Sequence, residues 1–283
     1  MVNHRGEEAL ETLMDTEIDM IRWEGDAARA GRDVVALEEP LEILLNGESL
    51  AVTMRTPGND FALATGFLFA ESLIQSAADI QTIDYCGVPG DPNERNLLNV
   101  TLQAGDLPAF ERARLERNFL ATSSCGVCGK ANLSAAKCLA PPLPENDFCV
   151  RAAVFRELSG QMRAAQSTFD RTGGLHAAGL FTGEGKLLSL REDVGRHNAV
   201  DKLIGTEIQA GRVPLNERIL MVSGRTSFEI VQKAAMARIP VVCAVSAPSS
   251  LAVQLARDLH MTLIGFLRGN TMNVYTRPER IGV

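Results

Sequence analysis

The sequence predicts an α/β protein with a regular C-terminal part and a smaller N-terminal α+β unit. From residue 151 onward, short apolar runs that fit strands alternate with helical patterns of about 10–15 residues. Hydrophobic residues make up 46% of the 283 residues and charged residues 22%, a balance typical of a folded chain with a full core. The alternation predicts a mainly parallel sheet that is covered by helices on both faces.

Four segments are predicted along the chain. The first is charged and interrupted by Gly25 and Gly31, so we interpret it as a loosely ordered leader. In order, the segments are the leader (1–34), a small α+β domain (35–115), a loop with a cysteine pair and a proline-rich break (116–150), and an α/β domain (151–283).

The small domain carries three recognisable elements. Leu41 to Thr53 alternates around Asn46-Gly47, a pattern that predicts a β-hairpin. Asn59 to Leu73 predicts an amphipathic helix with an Asn or Asp cap. Asn96 to Leu102 predicts another strand.

The sequence of the α/β domain predicts nine helices and strands in a regular order. They are helix Ala152 to Ser167, strands Ala177 to Thr182 and Lys186 to Arg191, helix Val194 to Gln209, strand Ile219 to Ser223, helix Ser227 to Arg238, strand Val241 to Ser246, helix Ser249 to His260 and strand Thr262 to Leu267.

Charge and hydropathy exclude several classes of protein. The formal net charge of −7 argues against broad electrostatic binding of nucleic acid. No run approaches the ~20 apolar residues needed to span a bilayer, and the acidic N-terminus does not resemble a signal peptide. We therefore expect a cytoplasmic protein with no membrane partner, whose six cysteines are reduced.

The sharpest feature is the C-x-x-C pair formed by Cys125 and Cys128. Gly126 and Gly129 leave the thiols uncovered, and Lys130 favours thiolate, the nucleophilic form. Three interpretations compete: two incidental loop cysteines, half of a structural zinc site, or a redox or sulfur-transfer thiol. A zinc site needs four ligands and no second C-x-x-C is present, so we expect no bound metal, zinc included.

Polar clusters follow the predicted strands of the α/β domain. In a parallel sheet, ligands bind at the carboxyl ends of strands, where helix N-termini attract anions. Arginine can fork onto phosphate oxygens. The clusters predict an anionic-ligand site that includes His176, Asp193, Arg196, His197, Ser223 and Arg225.

A last cluster closes the final predicted strand. It comprises Phe266, Leu267, Arg268, Gly269, Asn270 and Thr271. An aromatic ring there can stack on a flat heterocycle beside a cationic side chain, although a core phenylalanine before an ordinary turn is the simpler interpretation.

Several long motifs together resemble the FdhD/NarQ family, the sulfur carriers required for formate dehydrogenase activity. They are RTPGND with ATGFLFAE (55–71), SSCGVCGK (123–130), GGLHAA (173–178), REDVGRHNAVDK (191–202), SGRTSFEIVQKAAM (223–236), AVSAPSSLAV (244–253) and LIGFLRGNTMNVYTRPERI (263–281).

The resemblance implies a mechanism. A cysteine desulfurase loads sulfur onto Cys125 as a persulfide, with Cys128 as an assisting or relaying thiol. The sulfur then passes to molybdenum, or tungsten, held as bis(molybdopterin guanine dinucleotide), and the cofactor goes to formate dehydrogenase. The family's cofactor-binding stretch matches Phe266 to Thr271. A homodimer with two guanine sites is also implied.

The family also implies a three-layer αβα fold similar to that of cytidine deaminases. Zinc deamination requires H-x-E or C-x-E and P-C-x-x-C at two helix starts, and those positions read Val194 to His197 and Ser223 to Thr226. Deaminase activity is therefore rejected. The leading hypothesis is a sulfurtransferase, and the alternatives are a chaperone that delivers the cofactor without moving sulfur and a zinc-stapled scaffold.

Overall fold

The computed structural model describes residues 3–4, 13–103, 140–144 and 148–282. The α-helices are α1 (Asp60–Ala70), α2 (Ala152–Ala165), α3 (Ser167–Thr172), α4 (Arg196–Gln209), α5 (Phe228–Met236) and α6 (Ser250–Asp258), with short 3₁₀ turns at Ala77–Asp79, Glu94–Asn96 and Pro278–Arg280. The strands are β1 (Asn3–His4), β2 (Asp15–Glu24), β3 (Ala27–Ala36), β4 (Glu39–Leu45), β5 (Glu48–Arg55), β6 (Ile80–Tyr85), β7 (Leu97–Leu102), β8 (Val150–Arg151), β9 (His176–Thr182), β10 (Leu187–Asp193), β11 (Arg218–Val222), β12 (Val241–Ala244), β13 (Thr262–Arg268), β14 (Thr271–Thr276) and β15 (Ile281–Gly282).

The first sheet has the strand order β1-β6-β7-β4-β5. Its β4–β5 hairpin and strand β7 confirm the predictions for this region. Asn46 and Gly47 both have positive φ, at 52° and 84°, which is the backbone of the tight hairpin turn that Asn-Gly favours. The predicted domain boundary near residue 115 lies outside the described residues.

Helix α1 differs from its prediction in two ways. Ten of its eleven residues are buried, so it is a core helix and not an amphipathic one. Asn59 occupies the position before the helix, but its φ is 57° and its side chain makes no capping hydrogen bond. The apolar run from Phe61 to Ala70 fits a helix that is covered on nearly every side.

The prediction of a loosely ordered leader over residues 1–34 was wrong for residues 15–34, which belong to two strands and the turn between them. Strands β2 and β3 pair antiparallel along their whole length, from Asp15 opposite Ala36 to Glu24 opposite Ala27. Gly25 has a φ of 61° and forms the tight turn between them. Glycine was interpreted as a breaker of periodicity, whereas here it allows a hairpin to close.

The second sheet has six strands in the order β10-β9-β11-β12-β13-β14. The prediction of a mainly parallel sheet was wrong. Only β11–β12 and β12–β13 are parallel, while β10–β9, β9–β11 and β13–β14 are antiparallel. The nine predicted elements are all present, with ends within two residues of those expected, and α3 and β14 were missed.

Helices cover both faces of this sheet, as predicted. Alternate residues of β11 point to opposite sides: Leu220 and Val222 join the core formed with α4, α5 and α6, whereas Ile219 and Met221 pack with α2. The kinship with cytidine deaminases stays a prediction. No helix in the described part of the chain is long and apolar enough to cross a bilayer.

Helices α1 and α4 join the two sheets into one core. A Cβ atom at Gly66 would lie 2.0 Å from the carbonyl oxygen of Asp201, and one at Gly205 would lie 1.8 Å from that of Ala62. Such distances exclude any side chain, so the two helix backbones touch. Buried side chains of both sheets, Leu41 and Leu220 among them, consequently belong to one cluster.

Candidate functional site

All twelve predicted cofactor-binding residues lie at one edge of the second sheet, which we call the strand-end edge. It contains the start of β9, the ends of β10 and β13, and the loops after β11 and β12, with residues 176, 193–198, 223–227, 245–249 and 266–271. Because β9 runs antiparallel to β10 and β11, its first residue meets the ends of its neighbours. The predicted strand-end arrangement is therefore present, while the role of these residues in binding remains a prediction.

Asp193 is fully buried, and its oxygens already have partners. The Lys202 ammonium lies 2.7 Å from Oδ2, and the backbone amides of Thr56 and Gly195 donate to the carboxylate at 3.2 and 2.7 Å. Lys202 also donates to the carbonyl oxygen of Thr56. This carboxylate therefore ties the loop after β5 to the start of α4, and it has no exposed surface to offer a ligand.

His176 lies between two arginines at the surface of the edge. Burial lowers the pKa of His176, and the positive charges of Arg196 and Arg225 act in the same direction, against the opposing effect of Asp193. A Cβ at Gly224 would lie 3.1 Å from Nδ1 of this ring. Glycine therefore lets the loop after β11 lie close against a neutral imidazole.

Three arginines of the edge lack an ion pair with any described carboxylate. Within residues 13–103, 140–144 and 148–282, no carboxylate forms an ion pair with Arg196, Arg225 or Arg268. Arg225 and Arg268 are exposed and Arg196 is half-buried. Unpaired guanidinium groups gathered in one place favour the binding of an anion.

Helix N-termini add to this positive character. Helices α4, α5 and α6 all begin at the strand-end edge, directly after Gly195, Ser227 and Ser249. The loops before α5 and α6 are joined by hydrogen bonds from Thr226 N to Ala247 O and from Ser249 N to Thr226 O. The edge is thus a continuous rim of backbone N–H groups and helix dipoles, which suits phosphate groups.

His197 contacts Ser227, the residue before α5, and Glu229 in the first turn of α5. Its Nε2 lies 3.0 Å from Oγ of Ser227 and 3.2 Å from Oε2 of Glu229. Burial lowers the pKa of His197 to about 3, and the charges of Lys233 and Arg196 contribute. They outweigh the Glu229 carboxylate, which favours protonation. Such a ring is neutral and too weakly basic to activate Ser227 as a nucleophile, so it positions the start of α5.

The Phe266 loop has an unusual backbone. Phe266 has a φ of 52°, the left-handed region that costs a bulky residue about 1–2 kcal/mol. Its amide donates to Ser246 O, its side chain is 38% exposed, and the Arg268 guanidinium lies 6.0 Å from its ring centroid. The phenylalanine is therefore an exposed ring beside a cation and not the core residue of the simpler interpretation.

The other residues of this loop offer different groups. Leu267 is buried at 1% exposure and packs in the core with α2, so only its backbone can face a ligand. Gly269, Asn270 and Thr271 are exposed, and the Thr271 hydroxyl donates to Arg268 O. Ser223 Oγ accepts from the amide of Ala177 and fastens β11 to the start of β9.

Sequence reasoning missed three contributors to the edge: Thr56, Glu229 and Lys233. The RTPGND motif contains Thr56, but nothing in the pattern placed it against Asp193, 137 residues away. Ser227 was recognisable as the residue before a helix. Its hydrogen bond to His197 depends on the packing of α4 against α5.

The cysteine pair Cys125 and Cys128 lies outside the described residues, so its predicted role stays a prediction. Among the described cysteines, Cys86 and Cys149 are exposed and Cys243 is buried. Burial raises the pKa of Cys86 and of Cys243, with Glu42 and Asp84 adding to the effect at Cys86. Neither therefore favours the thiolate that sulfur chemistry requires. No cluster of three or more metal-ligating side chains occurs within the described ranges.

Fold and edge together define an α/β protein with a cationic, helix-rimmed surface at the strand ends. The chain matches the FdhD/NarQ family over residues 36–282 and belongs to that family, which confirms the resemblance of its motifs. Proteins named sulfur carrier protein FdhD from Streptomyces avermitilis and Mycobacterium tuberculosis are 52% and 51% identical to it. The first alignment covers 93% of this chain and 94% of the relative, and the second covers 88% and 92%.

A solved structure agrees with this assignment. The crystal structure assigned as a formate dehydrogenase accessory protein from Desulfotalea psychrophila matches with a TM-score of 0.73 and 26% identity. The match covers 95% of this chain and 100% of that one.

Proposed function

We propose that this chain is a sulfur carrier that takes sulfur from a cysteine desulfurase on Cys125. It then passes the sulfur to a molybdenum, or tungsten, bis(molybdopterin guanine dinucleotide) cofactor used by formate dehydrogenase. Loading is a thiol exchange in which the Cys125 thiolate attacks the outer sulfur of the desulfurase persulfide and the desulfurase thiolate leaves. The chain would then be an enzyme, a sulfurtransferase with a cysteine persulfide intermediate.

One observation carries this proposal: the chain is 52% identical, over 93% of its length, to a protein named as a sulfur carrier. The C-x-x-C pair supplies the chemistry. The described cysteines support the choice of Cys125 indirectly, because Cys243 is buried in the core and the pKa of Cys86 is raised.

Cys128 has a simple role in release. Its thiolate attacks the inner sulfur of the Cys125 persulfide, a disulfide forms between the two cysteines, and the outer sulfur leaves as sulfide. Two electrons then reduce the disulfide before another cycle. A thiol reductant of the thioredoxin or glutathione class can supply them.

The side chains of the strand-end edge suit a substrate that carries phosphate groups and flat heterocycles. A cofactor with two guanine dinucleotide arms carries several phosphate groups, and the edge offers Arg196, Arg225 and three helix N-termini. Phe266 offers an exposed ring for stacking on a heterocycle, with Arg268 beside it. His176 and the exposed Gly269, Asn270 and Thr271 line the same rim. Asp193, Ser223, His197 and Leu267 act in this proposal by holding the rim in place.

The remaining parts of the proposal concern location and assembly. We propose that the chain works in the cytoplasm, contacts a cysteine desulfurase and formate dehydrogenase in turn, and acts as a homodimer whose two edges hold the two guanine groups. A strict monomer in sedimentation would contradict the shared site.

Mass spectrometry of the intact protein tests the sulfur step. After incubation with a cysteine desulfurase and cysteine, we expect an adduct of about 32 Da, the mass of one sulfur atom, on the peptide that contains Cys125. Cys125→Ala should lose the adduct and should fail to restore formate dehydrogenase activity in cells that lack this protein. Cys86→Ala is the matched control and should retain both.

The same variants separate sulfur transfer from cofactor delivery alone. If Cys125→Ala and Cys128→Ala both restore full activity while Phe266→Ala does not, the chain is a cofactor chaperone and the sulfurtransferase proposal is wrong. Stoichiometric zinc whose removal by a chelator unfolds the protein would instead indicate the scaffold function.

A further inference from the structure

The β2–β3 hairpin is an arm that precedes residue 36, the last residue of β3, where the match to the family begins. Alignments with individual relatives cover 93% and 95% of the chain and therefore include part of the arm. The arm also carries three of the ten large hydrophobic side chains that are exposed in the described chain: Ile18, Ile21 and Trp23. An isolated two-stranded ribbon is at best marginally stable in water, so an arm of this kind is expected to pack against something.

Among the described residues, side-chain contacts join the arm to the body at its base. The Arg171 guanidinium of α3 pairs with the Asp15 carboxylate, and the Thr168 hydroxyl contacts the sulfur of Met14. Beyond this base, residues 27–33 of β3 are exposed. The two strands form a sheet of their own, so among the described residues the outer edge of β3 has no strand beside it.

The two edges of the arm differ in charge. Strand β2 carries Asp15, Glu17, Asp19 and Glu24 against a single cation, Arg22, so two copies of this edge would repel each other. Strand β3 carries Arg29, Arg32 and Asp33 and is otherwise small and apolar. With two arginines and one aspartate, β3 has a net charge of +1, whereas β2 with four carboxylates and one arginine has −3, so two copies of the β3 edge repel each other less.

The arm also contains an unfavourable pair that a second β3 would relieve. Arg22 lies directly opposite Arg29 across the hairpin, and like charges in this position are destabilising. Within the described ranges neither guanidinium has an acidic partner. Glu17 and Asp19 are both engaged with Arg32 on the other face of the ribbon.

We propose that β3 pairs antiparallel with β3 of a second copy of this chain, with Gly31 opposite Gly31 at the two-fold axis. This register places Arg29 of each copy opposite Asp33 of the other, and Ala30 opposite Arg32. It sets no like charges directly opposite each other. The result is a four-stranded sheet shared by two chains, in which Asp33 of the partner faces Arg29 and offsets part of its repulsion with Arg22. This inference does not depend on the proposed sulfur transfer.

A disulfide tests the register. Opposed Cα atoms in antiparallel strands lie about 4.5–5.5 Å apart, within the range of about 4.4–6.8 Å that a disulfide spans. Gly31 has an ordinary φ and its Cβ would contact only the end of the Met20 side chain, at 3.4 Å, so Gly31→Cys should fold. We expect mild oxidation to convert most of this variant to a dimer linked through position 31.

The matched control is Ala27→Cys, which is equally exposed on the same strand. In the proposed register the two copies of residue 27 are eight residues apart, about 27 Å at the usual rise per residue. The Ala27→Cys variant should form no disulfide through position 27. The unmodified chain, oxidised in parallel, measures the background of dimer that the native cysteines form. Failure of Gly31→Cys to cross-link above this background overturns the register.

Charge exchange tests the partner. In sedimentation experiments over a dilution series, Arg29→Asp and Asp33→Arg should each weaken self-association about tenfold, because like charges then face each other. The double exchange should restore it to within about threefold. Arg22→Asp, on the far strand, is the control and should have less effect than Arg29→Asp. The pairing would be refuted if the unmodified chain stayed monomeric at all concentrations. It would also be refuted if the Arg29→Asp and Asp33→Arg variants associated as well as the unmodified chain.

Discussion

Two regions of the described chain are rich in charged side chains, which are paired in one region and unpaired in the other. Around the contact between α1 and α4, which we call the seam, every buried charge has a partner. The seam pairs are Arg55 with Asp60 at 3.0 Å, Lys202 with Asp193 at 2.7 Å and Lys233 with Asp201 at 2.6 Å. At the strand-end edge, by contrast, no carboxylate of the described residues forms an ion pair with Arg196, Arg225 or Arg268.

The difference separates architecture from binding. In a buried ion pair, each charged side chain compensates the other. Removing one member leaves an unpaired charge in the core and destabilises the fold. Unpaired cations beside helix N-termini instead lower the free energy of a bound anion. The comparison therefore assigns Asp193 and Lys202 to the support of the site, although Asp193 was predicted from the sequence to touch the ligand.

The seam should give the largest effect on stability. Asp193→Asn keeps the shape of the side chain but leaves the Lys202 ammonium buried without a counter-charge, so we expect a loss of about 3–5 kcal/mol in the free energy of unfolding. Urea denaturation measures it. The double variant with Lys202→Met should recover about half of the loss. A cost below about 1 kcal/mol for the single variant would mean that the seam is not held by its charges.

His197 lies between the two regions and should make stability depend on pH. Its pKa is about 3 in the folded chain, below the value of about 6.5 in an unfolded one. Between these two pKa values the unfolded state binds a proton at His197 and the folded state does not. The free energy of unfolding is therefore highest above pH 6.5 and decreases as the pH falls below that value. We expect this one group to remove about 2 kcal/mol between pH 6.5 and pH 5. Denaturation of His197→Gln at both pH values should show a correspondingly smaller loss, and equal losses would contradict the assignment.

The arginines of the edge should affect binding and leave stability unchanged. With guanosine diphosphate as the probe, Arg225→Gln should weaken binding about tenfold, or about 1.4 kcal/mol, while the unfolding midpoint stays the same. Calorimetry at two salt concentrations measures the affinity and its electrostatic part. Arg257→Gln, an exposed arginine in the last turn of α6, is the control. If both variants bind alike, the edge does not hold phosphate through Arg225.

Substitution of Phe266 should give the smallest effects. We expect it to raise the free energy of unfolding and to weaken the binding of guanosine diphosphate. Phe266→Gly removes the strain of a positive φ, so we expect stability to rise by about 1 kcal/mol, while guanosine diphosphate binds more weakly because the ring is lost. His260→Gly, also at positive φ with 57°, is the control and should stabilise without affecting the affinity. A loss of stability in Phe266→Gly would mean that the ring serves the fold.

Local patterns in the sequence determined most of the elements. Asn46-Gly47 is sufficient for a hairpin turn because both residues tolerate positive φ, and the nine elements after residue 151 follow from alternating periodicities. The same reasoning placed all twelve candidate ligand residues at strand ends. It failed at β2 and β3, where charges alternate with apolar residues in a ribbon that has no buried face, so no hydrophobic period marks it.

Only the tertiary structure decided which distant strands pair and which charges meet. The short connections at 183–186 and 269–270 already require antiparallel pairs, because a parallel pair needs a crossover of about a dozen residues or more. The antiparallel pairing of β9 with β11 joins strands that are distant in sequence, and no local pattern determines it. Whether Asp193 binds a ligand or a lysine depends on Thr56, which approaches it from 137 residues away. Residue types at strand ends are a local property, whereas their electrostatic partners are set by long-range packing, and it is the partners that distinguish candidate ligand-binding residues from buried structural ones.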